Sequence, residues 1–95
     1  MVKLNAGNVL LKPSQRRQLM TWLKRAQKLG GQLGDFLLTI TMRRTGHLTE
    51  VTADVHVTDA NFSCRIRRAE WRDALQEMAD LLAWRLHAQR LGLAI

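Results

Sequence analysis

Two neighbouring runs decide the fold: Phe36-Leu37-Leu38-Thr39-Ile40-Thr41-Met42-Arg43 and Glu50-Val51-Thr52-Ala53-Asp54-Val55-His56-Val57. In the first, Phe36, Leu38, Ile40 and Met42 alternate with Leu37, Thr39, Thr41 and Arg43. In the second, Val51, Ala53, Val55 and Val57 alternate with Glu50, Thr52, Asp54 and His56. A period of two places each apolar set on one face of an extended chain. Arg44-Thr45-Gly46-His47 between them reads as a turn, so the two strands form a hairpin. Downstream, Thr58-Asp59-Ala60-Asn61 reads as the next turn. Phe62, Cys64 and Ile66 then alternate with Ser63, Arg65 and Arg67, adding a third antiparallel strand.

Upstream of this meander, Val2, Leu4 and Ala6 alternate with Lys3 and Asn5. That predicts a short first strand, bent at Gly7-Asn8 and carried on through Val9–Leu11. Pro13 and Ser14 open a helix over about Ser14–Leu29, with Ser14 able to cap it. Leu19, Trp22, Leu23 and Ala26 make its apolar face, and Arg17, Lys24 and Lys28 fall opposite. Gly30-Gly31 is expected to close it in a left-handed cap. The last element is a helix over about Ala69–Leu91, ended by Gly92, with Trp71, Leu75, Met78, Leu82 and Leu86 as its buried stripe. The predicted class is α+β in the order β-α-β-β-β-α: a four-stranded sheet with both helices packed on one face and the other face in water. The first two strands are joined through a helix, so they run parallel if adjacent.

Ninety-five residues, 46% of them apolar, suit one domain spanning residues 1–95 with one core. No apolar run is long enough for a membrane span, and the amino terminus has no signal-peptide stretch, so a cytoplasmic protein is expected. The single cysteine, Cys64, excludes an intrachain disulfide and is expected on the buried strand face. His47, His56 and His87 have no zinc-type spacing to Cys64 or to each other, so no metal and no cofactor are expected. Asp73, Glu77 and Asp80 line one side of the second helix, where pairing with Arg72 or Arg85 on a solvated face is the expectation. Gly30-Gly31-Gln32-Leu33-Gly34 lacks the lysine of a phosphate-binding loop. The sequence thus points away from an enzyme and from a small-molecule substrate.

Charge is the functional signal. Fifteen Lys and Arg stand against eight Asp and Glu, a net charge of +7. Arginine dominates, and its planar fork suits phosphate. The candidate RNA-binding residues are Arg16, Arg17, Lys24, Arg25 and Lys28 on the first helix, and Arg43 and Arg44 at the hairpin. Arg65, Arg67 and Arg68 follow on the last strand, with Arg72 and Arg90 on the second helix. Phosphate contact would dominate binding, with steep salt dependence. The chain has no tyrosine, and its outward strand positions show no aromatic pair to stack bases. Trp84 lies off the buried stripe of the second helix, beside Leu81, Ala88 and Leu91. The Leu81, Trp84 and Leu91 strip is a candidate protein-contact surface.

The same residues resemble the short ribosome hibernation-promoting factors and ribosome-associated inhibitors, the sigma-54 modulation protein-like group. Val2-Lys3-Leu4-Asn5 is similar to that group's first strand, and Leu19–Leu29 to its first helix. Thr52-Ala53-Asp54-Val55-His56-Val57 is similar to one of its strands. The best stretch runs from Glu70 through Trp71, Ala74, Leu75 and Asp80 to Leu82, with Leu86 beyond. The resemblance implies a non-catalytic factor whose cations hold small-subunit rRNA in the channel used by mRNA and tRNA. It also implies a stress-response role in translation regulation and a monomer when free. A chain ending at Ile95 corresponds to the short members. This sequence departs from the group's pattern at Arg67-Arg68-Ala69-Glu70, which replaces an acidic approach to the second helix. It departs again at Arg72 in place of a tyrosine, and at Leu81 and Trp84 in place of cations. Two alternatives stand beside this reading: a double-stranded RNA-binding domain, and a protein-interaction module using the Leu81/Trp84/Leu91 strip.

Overall fold

The computed structural model describes residues 2–32, 34–57 and 60–90, without the side chains of Ala60, Gln89 and Arg90. The elements are β1 (Val2–Asn5), α1 (Pro13–Gly31), β2 (Phe36–Thr45), β3 (Leu48–Val57), β4 (Ala60–Arg68) and α2 (Trp71–Arg90). The strands lie in the order β1-β2-β3-β4. β1 runs parallel to β2, and β2, β3 and β4 form an antiparallel meander. The α+β architecture expected from the sequence is the one observed.

Alternation does the sorting. Leu38, Ile40, Met42, Val51, Ala53, Val55, Cys64 and Ile66 are buried beneath the helices. They meet Leu19, Leu23 and Ala26 of α1 and Leu75, Met78, Leu82 and Leu86 of α2 in one core cluster. Each large apolar side chain taken fully from water contributes about 1.5–3 kcal/mol. The opposite sheet face carries Lys3, Asn5, Thr39, Thr41, Arg43, Glu50, Thr52, Asp54, Arg65 and Arg67, all exposed or half-buried. Thr49 breaks the pattern: it is fully buried, and its Oγ1 has no hydrogen-bond partner among the described residues.

Several local expectations are corrected. Val9–Leu11 does not continue β1. Val9 turns into the core while Leu10 is 94% exposed. Sheet pairing is taken over by a side chain: Asn8 Nδ2 donates to Arg44 O at 3.0 Å, and Arg44 N donates to Asn8 Oδ1 at 2.7 Å. The bend at Gly7 is as expected. Its φ of +57° and a Met42 oxygen 2.5 Å from where a Cβ would stand both require glycine.

Ser14 does not cap α1. Lys12 is the N-cap, Pro13 occupies the first helical position, and Lys12 N donates to Gln15 Oε1 at 2.8 Å. Gly30 and Gly31 remain inside the helix, which ends at a right-handed Gln32. Gly30 is needed for close approach instead, because a Cβ there would fall 2.3 Å from the Phe36 ring. Both strand connections are tighter than expected: β2 extends to Thr45, paired with Leu48, and β4 already pairs Ala60 with Val57. Gly46, at φ +59°, supplies the first residue of a two-residue hairpin turn. α2 starts at Trp71 rather than Ala69, because Arg68 still pairs with Thr49 in the sheet and Ala74 N donates to Glu70 O. Leu91, Gly92 and the apolar tail lie outside the described residues.

Candidate nucleic-acid interface

Topology gathers the cations before any side chain is considered. β1 points toward the β2–β3 hairpin, and Asn8 fastens the following loop to Arg44 there. α1 therefore begins at the hairpin end and runs back toward Phe36, which packs near Gly30. β4 also finishes at this end, with Arg68 across from Thr49 and Thr49 across from Arg44. α2 starts after two intervening residues. The two helix amino termini and the hairpin tip thus share one end of the molecule. Arg16, Arg17, Arg43, Arg44, Arg67, Arg68 and Arg72 are all exposed and all placed there. The amino-terminal dipoles of both helices add positive potential to it.

From that end the cations spread onto two surfaces. On α1, Arg17, Lys24 and Lys28 fall on one outward line, at spacings of seven and four residues, with Arg25 beside them. On the open sheet face, Arg43, Arg65 and Arg67 surround Glu50. Arg67 Nε donates to Glu50 Oε2 at 2.9 Å, and Arg65 Nε lies 3.6 Å from Glu50 Oε1. The Arg67 hydrogen bond is the main reason the Glu50 carboxyl sits below its ordinary value. Desolvation opposes it, and Arg65, Arg67 and Arg43 add Coulombic attraction. The helix-one row and the strand-four pair therefore look out from opposite sides of the domain. They join only around the hairpin end.

Three pairings differ from those expected. Arg68 Nη2 donates to Glu77 Oε1 at 2.7 Å, so Glu77 is held by the last strand and not by Arg72 or Arg85. Arg72 stands over the Trp71 ring at 5.4 Å, and Trp71 in turn meets Trp22 at 6.2 Å. Arg85 lies 4.2 Å over the Phe62 ring with Nη1 3.2 Å from the sulfur of buried Cys64. Its guanidinium is thus largely taken up inside the fold, a use of arginine as packing that sequence alone does not reveal. Arg90 closes α2, and its side chain lies outside the described residues. So does Leu91 of the candidate protein-contact strip.

The rest of that strip is unevenly exposed. Trp84 is 59% exposed and Leu81 36%, but Ala88 is buried. Trp84 continues the outward line of Asp73, Glu77 and Asp80, so α2 shows solvent an acidic line ending in an indole. Among the described residues, no three His, Cys, Asp or Glu side chains gather as a metal site requires, and no helix is long and apolar enough to cross a membrane.

Fold and site together define a class: a two-layer α+β domain whose exposed arginines converge where both helices begin. No family model matches the sequence, and no curated protein matches it. Solved structures do match. The chain is similar to the Protein Y N-terminal domain of Thermus thermophilus, with a TM-score of 0.75 at 17% identity, over 88% of this chain and 91% of that one. It is also similar to a ribosomal subunit interface protein from Coxiella burnetii, with a TM-score of 0.67 at 10% identity, over 95% and 97%. At such identities the likeness is one of fold. These are the fold relatives to which the resemblance read from the sequence leads.

Proposed function

We propose that this chain is a non-catalytic, cytoplasmic, ribosome-associated factor of the hibernation type. It docks on small-subunit rRNA in the channel that mRNA and tRNA use. The observation that carries this reading is the likeness, over nearly the whole of both chains, to a protein whose name places it at the ribosomal subunit interface. The charge distribution supports it. Cations on two opposite sides of a domain measuring 38 × 24 × 16 Å suit a slot with rRNA on both walls better than a flat surface. Phosphate contacts position such a domain without reading sequence.

The double-stranded RNA-binding alternative has less support, because an extra amino-terminal strand, β1, pairs in parallel with β2 and makes α1 a crossover between them. The protein-interaction alternative keeps one observation in its favour, the exposure of Trp84. Equilibrium co-sedimentation with purified small subunits, large subunits and duplex RNA separates the three. The proposal predicts small-subunit binding that weakens steeply with salt. Absence of small-subunit binding at low salt overturns it. Salt-insensitive binding to a protein partner, lost in Trp84→Ala, favours the third reading.

A further inference from the structure

One carboxylate sits among three arginines on the open sheet face. Register sets Arg43 directly across from Glu50 and Glu50 across from Arg67. Arg65 lies one same-face step along β4, about 6.6 Å from Arg67 by strand geometry. The Glu50 side chain is only 22% exposed, while those of Arg65 and Arg67 are 60% and 58% exposed.

The atoms used are informative. Glu50 divides its two oxygens between two guanidinium groups and meets each through Nε. The contact with the carboxylate is thus made at Nε, 2.9 Å away for Arg67 and 3.6 Å for Arg65. A pair built for mutual strength would be bidentate, fork to carboxylate. Exposed ion pairs also add little to stability, so the consequence here is positional. The Arg67 hydrogen bond holds the carboxyl below its ordinary value and so favours its ionised form. A shallow depression of about 310 Å³ opens beside it, lined by Arg43, Thr45, Leu48, Glu50 and Arg67.

We propose that Glu50 is a positioning residue for a two-phosphate clamp. It holds Arg65 and Arg67 as paired forks for successive phosphates of one RNA strand crossing the open face. Arg43 closes the site from β2. Three arginines against one carboxylate leave two net positive charges, matching two phosphates. This rests on the RNA-binding reading above, and deepens it by naming the ligand as single-strand backbone and the residue that sets the forks.

The test is a double-mutant cycle on binding of a fluorescent oligouridylate, measured by anisotropy at fixed salt. Glu50→Gln removes a negative charge, so attraction alone predicts tighter binding. Positioning predicts the opposite, a loss of about fivefold as two long side chains must be ordered on binding. The Arg65→Lys/Arg67→Lys variant keeps the charge and loses the forks. It should bind more weakly than the parent, and Glu50→Gln should cost nothing further in that background. Circular dichroism checks that each variant is folded. Tighter or unchanged binding by Glu50→Gln, or an equal loss in both backgrounds, overturns the clamp while leaving RNA binding intact. If the unaltered chain binds neither the oligouridylate nor small subunits, both the clamp and the proposed function fall.

Discussion

Gly7→Ala is expected to be among the most damaging single-methyl changes in this chain. Two costs add. The backbone there is left-handed, at φ +57°, and an L-residue in that conformation costs about 1–2 kcal/mol. The new Cβ would also stand 2.5 Å from the Met42 carbonyl oxygen, which is strand backbone and cannot swing away. Relief requires the loop to lift off β2. That movement pulls Asn8 from its two hydrogen bonds to Arg44, worth about 0.5–1.5 kcal/mol each. The combined loss is roughly 2–5 kcal/mol, at about 4–8 °C of melting temperature per kcal/mol in a domain of this size. Two other glycines act as internal controls. Gly46 has a similar φ of +59° with nothing within 4 Å of a Cβ, so Gly46→Ala should show the conformational cost alone. Gly31, in the last helical turn, is also open, and Gly31→Ala should stabilise by about 0.4–1 kcal/mol. Urea denaturation followed by tryptophan fluorescence and circular dichroism measures all three. A Gly7→Ala loss no greater than that of Gly46→Ala would refute the close-contact argument.

Other outcomes follow from single features. Thr49→Val removes a fully buried hydroxyl without a partner among the described residues, and should raise stability by about 1 kcal/mol in the same assay. Trp84→Ala should leave the unfolding free energy within about 0.5 kcal/mol, whereas Trp71→Ala, which empties a packed site against Trp22, should cost about 2–4 kcal/mol. Equal effects at the two tryptophans would mean that Trp84 is covered. The Glu50 carboxyl is held below 4.5 in the folded chain, so its stabilising contribution is full above the unfolded value and disappears as pH falls through the folded one. The melting-temperature difference between the parent and Glu50→Gln should accordingly be constant through neutral pH and vanish on strong acidification. A difference that grew toward acid would reverse the sign of this linkage.

The strands were legible because their signal is local. Leu38, Ile40 and Met42, and Val51, Ala53 and Val55, announce a buried face through period alone. What escaped depended on partners far along the chain. Val9–Leu11 looked like more strand because nothing local shows that the Asn8 amide replaces backbone pairing at Arg44. Gly30 looked like a cap because the Phe36 ring that demands a glycine lies beyond a loop. The cluster at Glu50 was hidden by turn lengths: four-residue turns do not set Arg43 and Arg67 on either side of Glu50, whereas the observed strand register does. Gly46 was the available signal for the tighter turn. Arg85 could not have been separated from the other cations, since its place over Phe62 is purely tertiary. The cation-rich end follows from β1 running parallel to β2, which the helix joining those strands already implied once they are adjacent.

The most direct test is competition on the small subunit. Subunits loaded beforehand with mRNA and a tRNA are compared with empty subunits for co-sedimentation of this chain at constant salt. Docking in the channel predicts strong binding to empty subunits and little to loaded ones, with Arg43→Gln and Arg44→Gln each flattening the salt dependence by up to about one phosphate contact. Equal binding to loaded and empty subunits would contradict the account.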